Sequence, residues 1–243
     1  MNEKIIGVGN TATVYEWDEG KALKLFHEGY PIDSVEREFH NAAMINPMPF
    51  HKPCAYEIIT LNNRYGIIYD KVMGESLLDW VLKTGDLHTC AEYMANLHKE
   101  IVQNQIDNVP DYKDFLYWGI NQSNKIDATM KQDVFNRLKN LPEGNSLCHG
   151  DFHPGNIIIS DGLAMIIDFM NVCKGNYLYD IARTVFLVEY TPIPENIENK
   201  EQLRSLKKAL TDLYLDKMKI TRDMIQDYLD IITIARTGEC PDE

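Results

Sequence analysis

Cysteine pairing is the first thing missing. The five cysteines, Cys54, Cys90, Cys148, Cys173 and Cys240, are odd in number, and no two stand as CxxC. A disulfide framework or a zinc site is therefore not expected, and a reducing compartment fits. No apolar run approaches the roughly 18 residues that a membrane span needs. The N-terminal MNEKIIGVGN lacks the apolar stretch of a signal peptide, so a cytoplasmic protein with no membrane partner is expected. Positive charge is also scarce: 24 Lys and Arg stand against 37 Asp and Glu, for a net charge of −13. Phosphate backbones are bound by clustered Lys and Arg, so no nucleic-acid partner is expected. The same imbalance is compatible with a cationic substrate. Internal repeats and low-complexity linkers are absent, and the sequence leaves the oligomeric state open.

What is present has the texture of a globular protein, with 44% apolar and 25% charged residues. A chain of 243 residues suffices for one large domain or two lobes. KIIGVGNTATVYEWDEGKALKLF reads as short strands, with DEGK as a hairpin turn. SVEREFHNAAMIN has a helical period that puts Val35, Phe39, Ala42 and Asn46 on one face. Asp33 or Ser34 is expected to cap that helix, and Pro47 to stop it. AYEIITL and RYGIIYD are two further strands around an NN turn. After Gly74 the periods become helical, interrupted by LCHGDFHPGNIII and LAMIID on either side of an SDG turn. The expected fold class is α+β: a small antiparallel-sheet lobe with one helix at 1–70, a hinge at 71–75, and a larger, mainly helical lobe at 76–243.

Chemistry concentrates around that interruption. Asp151 and Asn156 stand as D-x-x-x-x-N, with Pro154 and Gly155 between them favouring a turn. Asp168 closes the apolar MIID. An Asn carbonyl with an Asp carboxylate is hard-oxygen ligation, suited to a Mg²⁺ that also bridges phosphates. Asn156 and Asp168 are the candidate metal ligands, and Asp151 is left to orient a hydroxyl and accept its proton. In the sheet lobe, Gly7, Gly9, Ala12 and Val14 fit G-x-G-x-x-[GA]-x-V across a strand–turn–strand, where small residues let backbone N–H groups approach phosphates. Lys24 lies mid-strand and needs a counter-charge. At roughly 100° per residue, Glu38 falls about 45° from the centre of the helix's apolar face and Glu36 about 115° away, so Glu38 is the expected partner.

Together these motifs resemble the protein-kinase-like superfamily, within it the aminoglycoside phosphotransferase and choline-kinase branch. HGDFHPGN is similar to that branch's catalytic loop, IIDF to its metal-binding strand end and YDIAR to the start of the helix that follows. The resemblance implies a two-lobed protein-kinase-like fold with ATP or GTP in its cleft. It makes Asp151 the catalytic base, with Asn156 and Asp168 holding Mg²⁺. Lys24 is to hold the inner phosphates and Glu38 to position Lys24. YDKVM, with Tyr69, Asp70, Lys71 and Val72, is to be the hinge whose backbone meets the base. Met170 stands where D-F-G has glycine, which disfavours a flip of Asp168. Asp180 follows Asp168 by only twelve positions, with eleven residues between them, and no A-P-E follows. A peptide platform has little room, so a small-molecule acceptor is expected. The implied activity is transfer of a nucleotide γ-phosphate to a hydroxyl of a small, cationic molecule of aminoglycoside type. The alternatives are a choline, sugar or amino-alcohol kinase, a nucleotide-binding module without catalysis, or a protein kinase acting on one partner.

Other residues read as structural. His149 is expected to buttress the loop, His153 to be a partly buried loop residue, and Asp180 to fix the loop. Arg183 is expected to pair with an acid. Glu239, Asp242 and Glu243 read as a solvated terminus ahead of the alternative, contact with an aminoglycoside's ammonium groups, and Trp80, Tyr117 and Trp118 as core. Asp111 and Asp114 are weaker acceptor-site candidates.

Overall fold

The structure is a computed structural model that describes residues 4–195 and 198–241. Asp242 and Glu243 of the acidic terminus lie outside the described residues. The chain forms two compact units, Met1–Leu77 with Gly155–Asn171, and Leu78–Pro154 with Val172–Glu243.

In the first unit, β1 (Ile5–Val8), β2 (Ala12–Glu16), β3 (Lys21–Phe26), β4 (Ala55–Leu61) and β5 (Arg64–Asp70) make one antiparallel sheet. Its spatial order is β1-β2-β3-β5-β4. The β4–β5 turn is Asn62–Asn63, both at positive φ (49° and 61°), the residues a two-residue primed turn prefers. Alternation along β3 divides the sheet. Leu23 and Leu25 pack with Ile68 on one face, whereas Phe26 packs with Ile67 and Val35 on the other. That second face is covered by α1 (Ile32–Ile45). Lys24 has the same parity as Phe26 and therefore points toward α1.

The expected caps of α1 are corrected. Pro31 is the N-cap residue and no side chain caps the helix. Its carbonyl accepts from Ser34 N–H and Val35 N–H, which draws Asp33 and Ser34 inside the first turn. Asn46 is not part of the apolar face either. It ends the helix, and its amide exchanges hydrogen bonds with Ala55 at 3.1 and 3.3 Å, tying the helix end to β4.

The same unit carries β6 (Glu75–Ser76), β8 (Ile157–Ser160) and β9 (Leu163–Ile166), ordered β6-β8-β9. Asp161 and Gly162 form the β8–β9 turn at φ 50° and 81°. Gly74 enters β6 at φ +134°, where a Cβ would sit 2.1 Å from the Ile159 carbonyl oxygen. Only glycine fits that approach.

The second unit is helical. It contains α2 (Leu77–Thr84, whose first residue belongs to the sheet unit), α3 (Leu87–Val102), α4 (Tyr112–Gln122), α5 (Ala128–Asn140), α6 (Tyr177–Val185), α7 (Lys200–Met218) and α8 (Arg222–Glu239). A short pair, β7 (Ser146–Cys148) with β10 (Cys173–Gly175), crosses it. Asp86, Asp111, Asp127 and Asn176 cap α3, α4, α5 and α6 through their side chains. α4 meets α8 at Gly119 and Gly238, where a Cβ on Gly238 would lie 2.0 Å from Gly119 O. α4 turns Tyr112, Leu116, Gly119 and Ile120 inward. Tyr117 and Trp118 consequently fall outside, 55% and 53% exposed, which corrects their expected burial. Tyr117 stacks on Phe135 at 4.6 Å, and Trp80 is half-buried, edge-on to Tyr93.

Candidate active site

Lys24 is the centre of the first unit's polar interior. Its Nζ lies 2.8 Å from Glu38 Oε1 and 3.0 Å from Asp168 Oδ1. Glu38 is 1% exposed on α1's inner face, while Glu36 faces solvent. Tyr69 Oη donates to the same Glu38 Oε1 at 2.9 Å. Burial alone would lower the Lys24 pKa, but the carboxylates of Asp168 and Glu38 outweigh it and hold the amine above its ordinary value. Burial, reinforced by the Glu38 carboxylate, pushes the Tyr69 phenol well above its usual range, so it remains a donor. The result is an ammonium suspended between two acids, with a third group fixing one of them.

Asp168 and Asn156 come together at the open end of the β8–β9 pair. Ile157 is opposite Ile166, and one step further the Asn156 carbonyl accepts from Ile167 N–H at 2.9 Å. Asn156 closes a 3-10 turn, Pro154–Asn156, and Asp168 adopts a left-handed φ of 67° just past β9. Among the described residues no three His, Cys, Asp or Glu side chains gather as a metal cage. One carboxylate and one side-chain amide are instead the sparse hard-oxygen set that suits Mg²⁺ when phosphates complete its shell. Asn156 and Asp168 fit that ion.

The glycine-rich stretch is the β1–β2 connection. Val8 pairs with Thr13, and Gly9 N–H reaches Ala12 O at 2.9 Å. A Cβ added at Gly7 or Gly9 would meet only ordinary contacts, at 3.6 and 3.5 Å. The fold itself therefore gives no steric reason for either glycine. Ala12 is different: it is 3% exposed and packs in the core under the strand with Phe26 and Ala55. At the end of β5, Asp70 accepts from Lys21, Tyr56 and Cys54 N–H, and Lys71 pairs with Glu16. The Asp70 and Lys71 N–H groups are taken by Cys54 O and Gly20 O. Val72, half-buried, follows them.

Asp151 belongs to the second unit, in the loop after β7. Its N–H donates to His149 Nδ1 at 3.2 Å, and His153 Nε2 is 3.9 Å from its carboxylate. The loop beneath it is anchored by Asp180, which accepts from His149 N–H at 2.7 Å and Gly150 N–H at 2.8 Å. His98 bridges Asp180 Oδ2 (2.9 Å) and Tyr214 Oη (2.6 Å), and stacks on Phe152 at 4.2 Å. Burial alone would raise the Asp180 carboxyl. The hydrogen bond from His98, with the charges of His98 and His149 and the Gly150 N–H, holds it below the usual carboxylate value. Arg183 grips the loop from the other side, donating to Gly150 O at 3.2 Å.

Glu239 is corrected from a solvated terminus. It closes a two-pronged pair with Arg183 at 2.9 and 2.8 Å, so the last turn of α8 is tied to the loop that bears Asp151. Sequence reasoning did not single out His98, Tyr214 or Asn41. Their signals were a buried-face histidine, an aromatic and an amide on helical periods, which any core can show. Asp111 is spent capping α4, and Asp114 lies exposed on its first turn.

A model of the phosphotransferase enzyme family matches residues 4–209. No curated protein matches the sequence. Among solved structures, an amicoumacin kinase in complex with AMP-PNP, Ca²⁺ and Ami is similar at 16% identity and TM-score 0.64, over 98% of this chain and 80% of that one. An aminoglycoside phosphotransferase from Streptomyces rimosus is similar at 14% identity and TM-score 0.59, over 92% and 89%. An aminoglycoside phosphotransferase in a ternary complex with streptomycin and ATP is similar at 15% identity and TM-score 0.57, over 98% and 81%. The fold is protein-kinase-like.

Proposed function

Because the chain belongs to the phosphotransferase enzyme family, we propose that it transfers the γ-phosphate of ATP or GTP, with Mg²⁺, to a hydroxyl of a small cationic molecule of aminoglycoside type. The observation that carries this reading is Lys24 held between Glu38 and Asp168 at 2.8 and 3.0 Å. A buried ammonium held by two acids is a costly arrangement for stability alone. It is a useful one for a polyanion, whose phosphate oxygens can accept from the third N–H of the ammonium.

Residue by residue, Gly7 and Gly9 let the β1–β2 backbone lie against phosphates. Ala12 supports that turn from the core. Lys24 binds the inner phosphates, and Glu38, fixed by Tyr69, orients it. With the Asp70 and Lys71 N–H groups paired inside the sheet, the Asp70 carbonyl and Val72 N–H are the hinge groups that meet the base. Asn156 and Asp168 would hold Mg²⁺, which when bound would supply charge neutralisation at the phosphates. Asp151 orients the acceptor hydroxyl and takes its proton as the new O–P bond forms and the nucleoside diphosphate leaves with the electrons of the broken P–O bond. Known relatives in fold include kinases solved with AMP-PNP or with streptomycin and ATP, which supports a nucleotide donor and a small acceptor.

A coupled assay of nucleoside-diphosphate release, run with aminoglycosides, choline, ethanolamine and sugars, tests the reading and selects among acceptors. Turnover confined to choline, ethanolamine or sugars moves the acceptor class. Tight Mg-nucleotide binding with no turnover on any of them makes the protein a binding module. In the same assay Asp151→Asn is expected to lower kcat by about 10²–10⁴-fold with nucleotide affinity nearly unchanged. Normal turnover by that variant removes Asp151 from the mechanism.

A further inference from the structure

We propose that Asn41 is a positioning residue that holds Asp168 in the conformation in which it binds metal. The proposal rests on the reading above, which gives Asp168 that role.

Asn41 lies on α1 one turn after Glu38 and is 1% exposed. Its Nδ2 donates to two consecutive backbone carbonyls, Phe169 O at 3.1 Å and Met170 O at 3.2 Å. Those are the carbonyls of the two residues that follow Asp168. Asp168 itself sits at φ +67°, a region that costs an L-residue about 1–2 kcal/mol and persists only where the surroundings over-determine it. Two ties do so, one through Lys24 of β3, which Glu38 of α1 orients, and one from α1 directly. Lys24, oriented by Glu38, takes the Asp168 carboxylate, and Asn41 takes the backbone just beyond it. One helical turn thus sets both the side chain and the main chain of the same residue.

The alternative is that Asn41 only stabilises the fold. Its other atom argues against this. Asn41 Oδ1 is buried with no hydrogen-bond partner. A buried acceptor left unsatisfied costs about 1–3 kcal/mol, so an apolar residue would serve the core better at this position. What an apolar residue lacks is the donor. Met170 completes the arrangement: its side chain packs against the core that contains Phe26 and Val35, and Tyr30 Oη lies 3.5 Å from its Sδ. The segment is therefore held at its backbone by Asn41 and at its side chain by Tyr30 and the sheet.

The test uses Asn41→Leu, which matches the size and deletes the donor, and Asn41→Asp, which keeps the shape and deletes the donor. Mn²⁺ affinity in the presence of a non-hydrolysable ATP analogue, read by electron paramagnetic resonance, needs no turnover. Groups that orient a metal ligand typically change metal affinity by about 10–100-fold, so both variants are expected to bind Mn²⁺ at least about ten-fold more weakly. Asn41→Leu is expected to keep its thermal midpoint. Hydrogen exchange across residues 167–171 is expected to accelerate in both, and the Mg²⁺ concentration for half-maximal activity to rise with little change in nucleotide KM. If Asn41→Leu does not fold, Asn41→Asp carries the same comparison. Equal Mn²⁺ binding by wild type and a folded variant overturns the proposal alone. A wild type that binds no Mn²⁺–nucleotide overturns the reading of the site, and the proposal with it.

Discussion

The loop that bears Asp151 is anchored by buried side chains on other elements. Asp180 illustrates the energetics. Its carboxylate, at 0% exposure, serves two backbone donors and His98. Its folded pKa is depressed, so its contribution to stability is complete above the ordinary carboxylate value near about 3.9 and is lost as pH falls through its own lower value. Asp180→Asn is expected to cost about 3 kcal/mol at neutral pH, because an amide N–H replaces the oxygen that accepts from His98 and from a backbone N–H. Urea unfolding as a function of pH checks this: the gap between wild type and variant should stay constant from pH 7 to about 5 and narrow only below pH about 4. At this scale much was legible beforehand. The helical angle alone places Glu38 inward and Glu36 outward, and HGDFHPGN and IIDF mark Asp151, Asn156 and Asp168. His98 and Tyr214 were not legible, because their meaning lies in each other and in Asp180, across 116 and 82 positions of chain. No local period encodes such a pairing. Asn41 was hidden for the same reason, since its partners are carbonyls 128 and 129 residues away.

At the scale of elements, the local rules that worked were those of turns and period. Asn62–Asn63 and Asp161–Gly162 form the tight turns their residue types favour, and α1 buries the stripe that contains Val35 and Ala42. Cap choice failed where Pro31 pre-set the helix entry and left Asp33 and Ser34 no cap role. The exposure of Tyr117 and Trp118 was missed because α4 approaches α8 through Gly119, and a glycine contact rotates the helix away from its bulkiest residues. That contact carries a prediction. A methyl at Gly238 would lie 2.0 Å from Gly119 O, a backbone atom that cannot turn aside. Gly238→Ala should therefore lower stability by about 1–3 kcal/mol, measured by denaturant unfolding. Because Gly238 precedes Glu239, the displaced helix end should also loosen the Arg183 pair and reduce kcat more than nucleotide affinity. An unchanged unfolding midpoint would show that the two helices separate without penalty.

Over the whole molecule, 37 acids against 24 bases set a field that no single pair accounts for. For a cationic acceptor such a field raises local concentration and speeds encounter, and salt screens it over about 8 Å at physiological ionic strength. Raising salt from low to high should increase KM for an aminoglycoside several-fold with little effect on kcat, while KM for a neutral sugar stays flat. Steady-state kinetics over a salt series checks it; identical profiles for charged and neutral acceptors would leave the net charge to solubility alone. The packing of Met170 has one more consequence. Two residues past Asp168, this chain packs a bulky thioether against the core on the α1 side of the sheet. If the chain is the kinase proposed above, an inhibitor that needs this segment swung outward would first have to pull that thioether from its contacts, so inhibitors are expected to compete for the place of the nucleotide or of the molecule being modified.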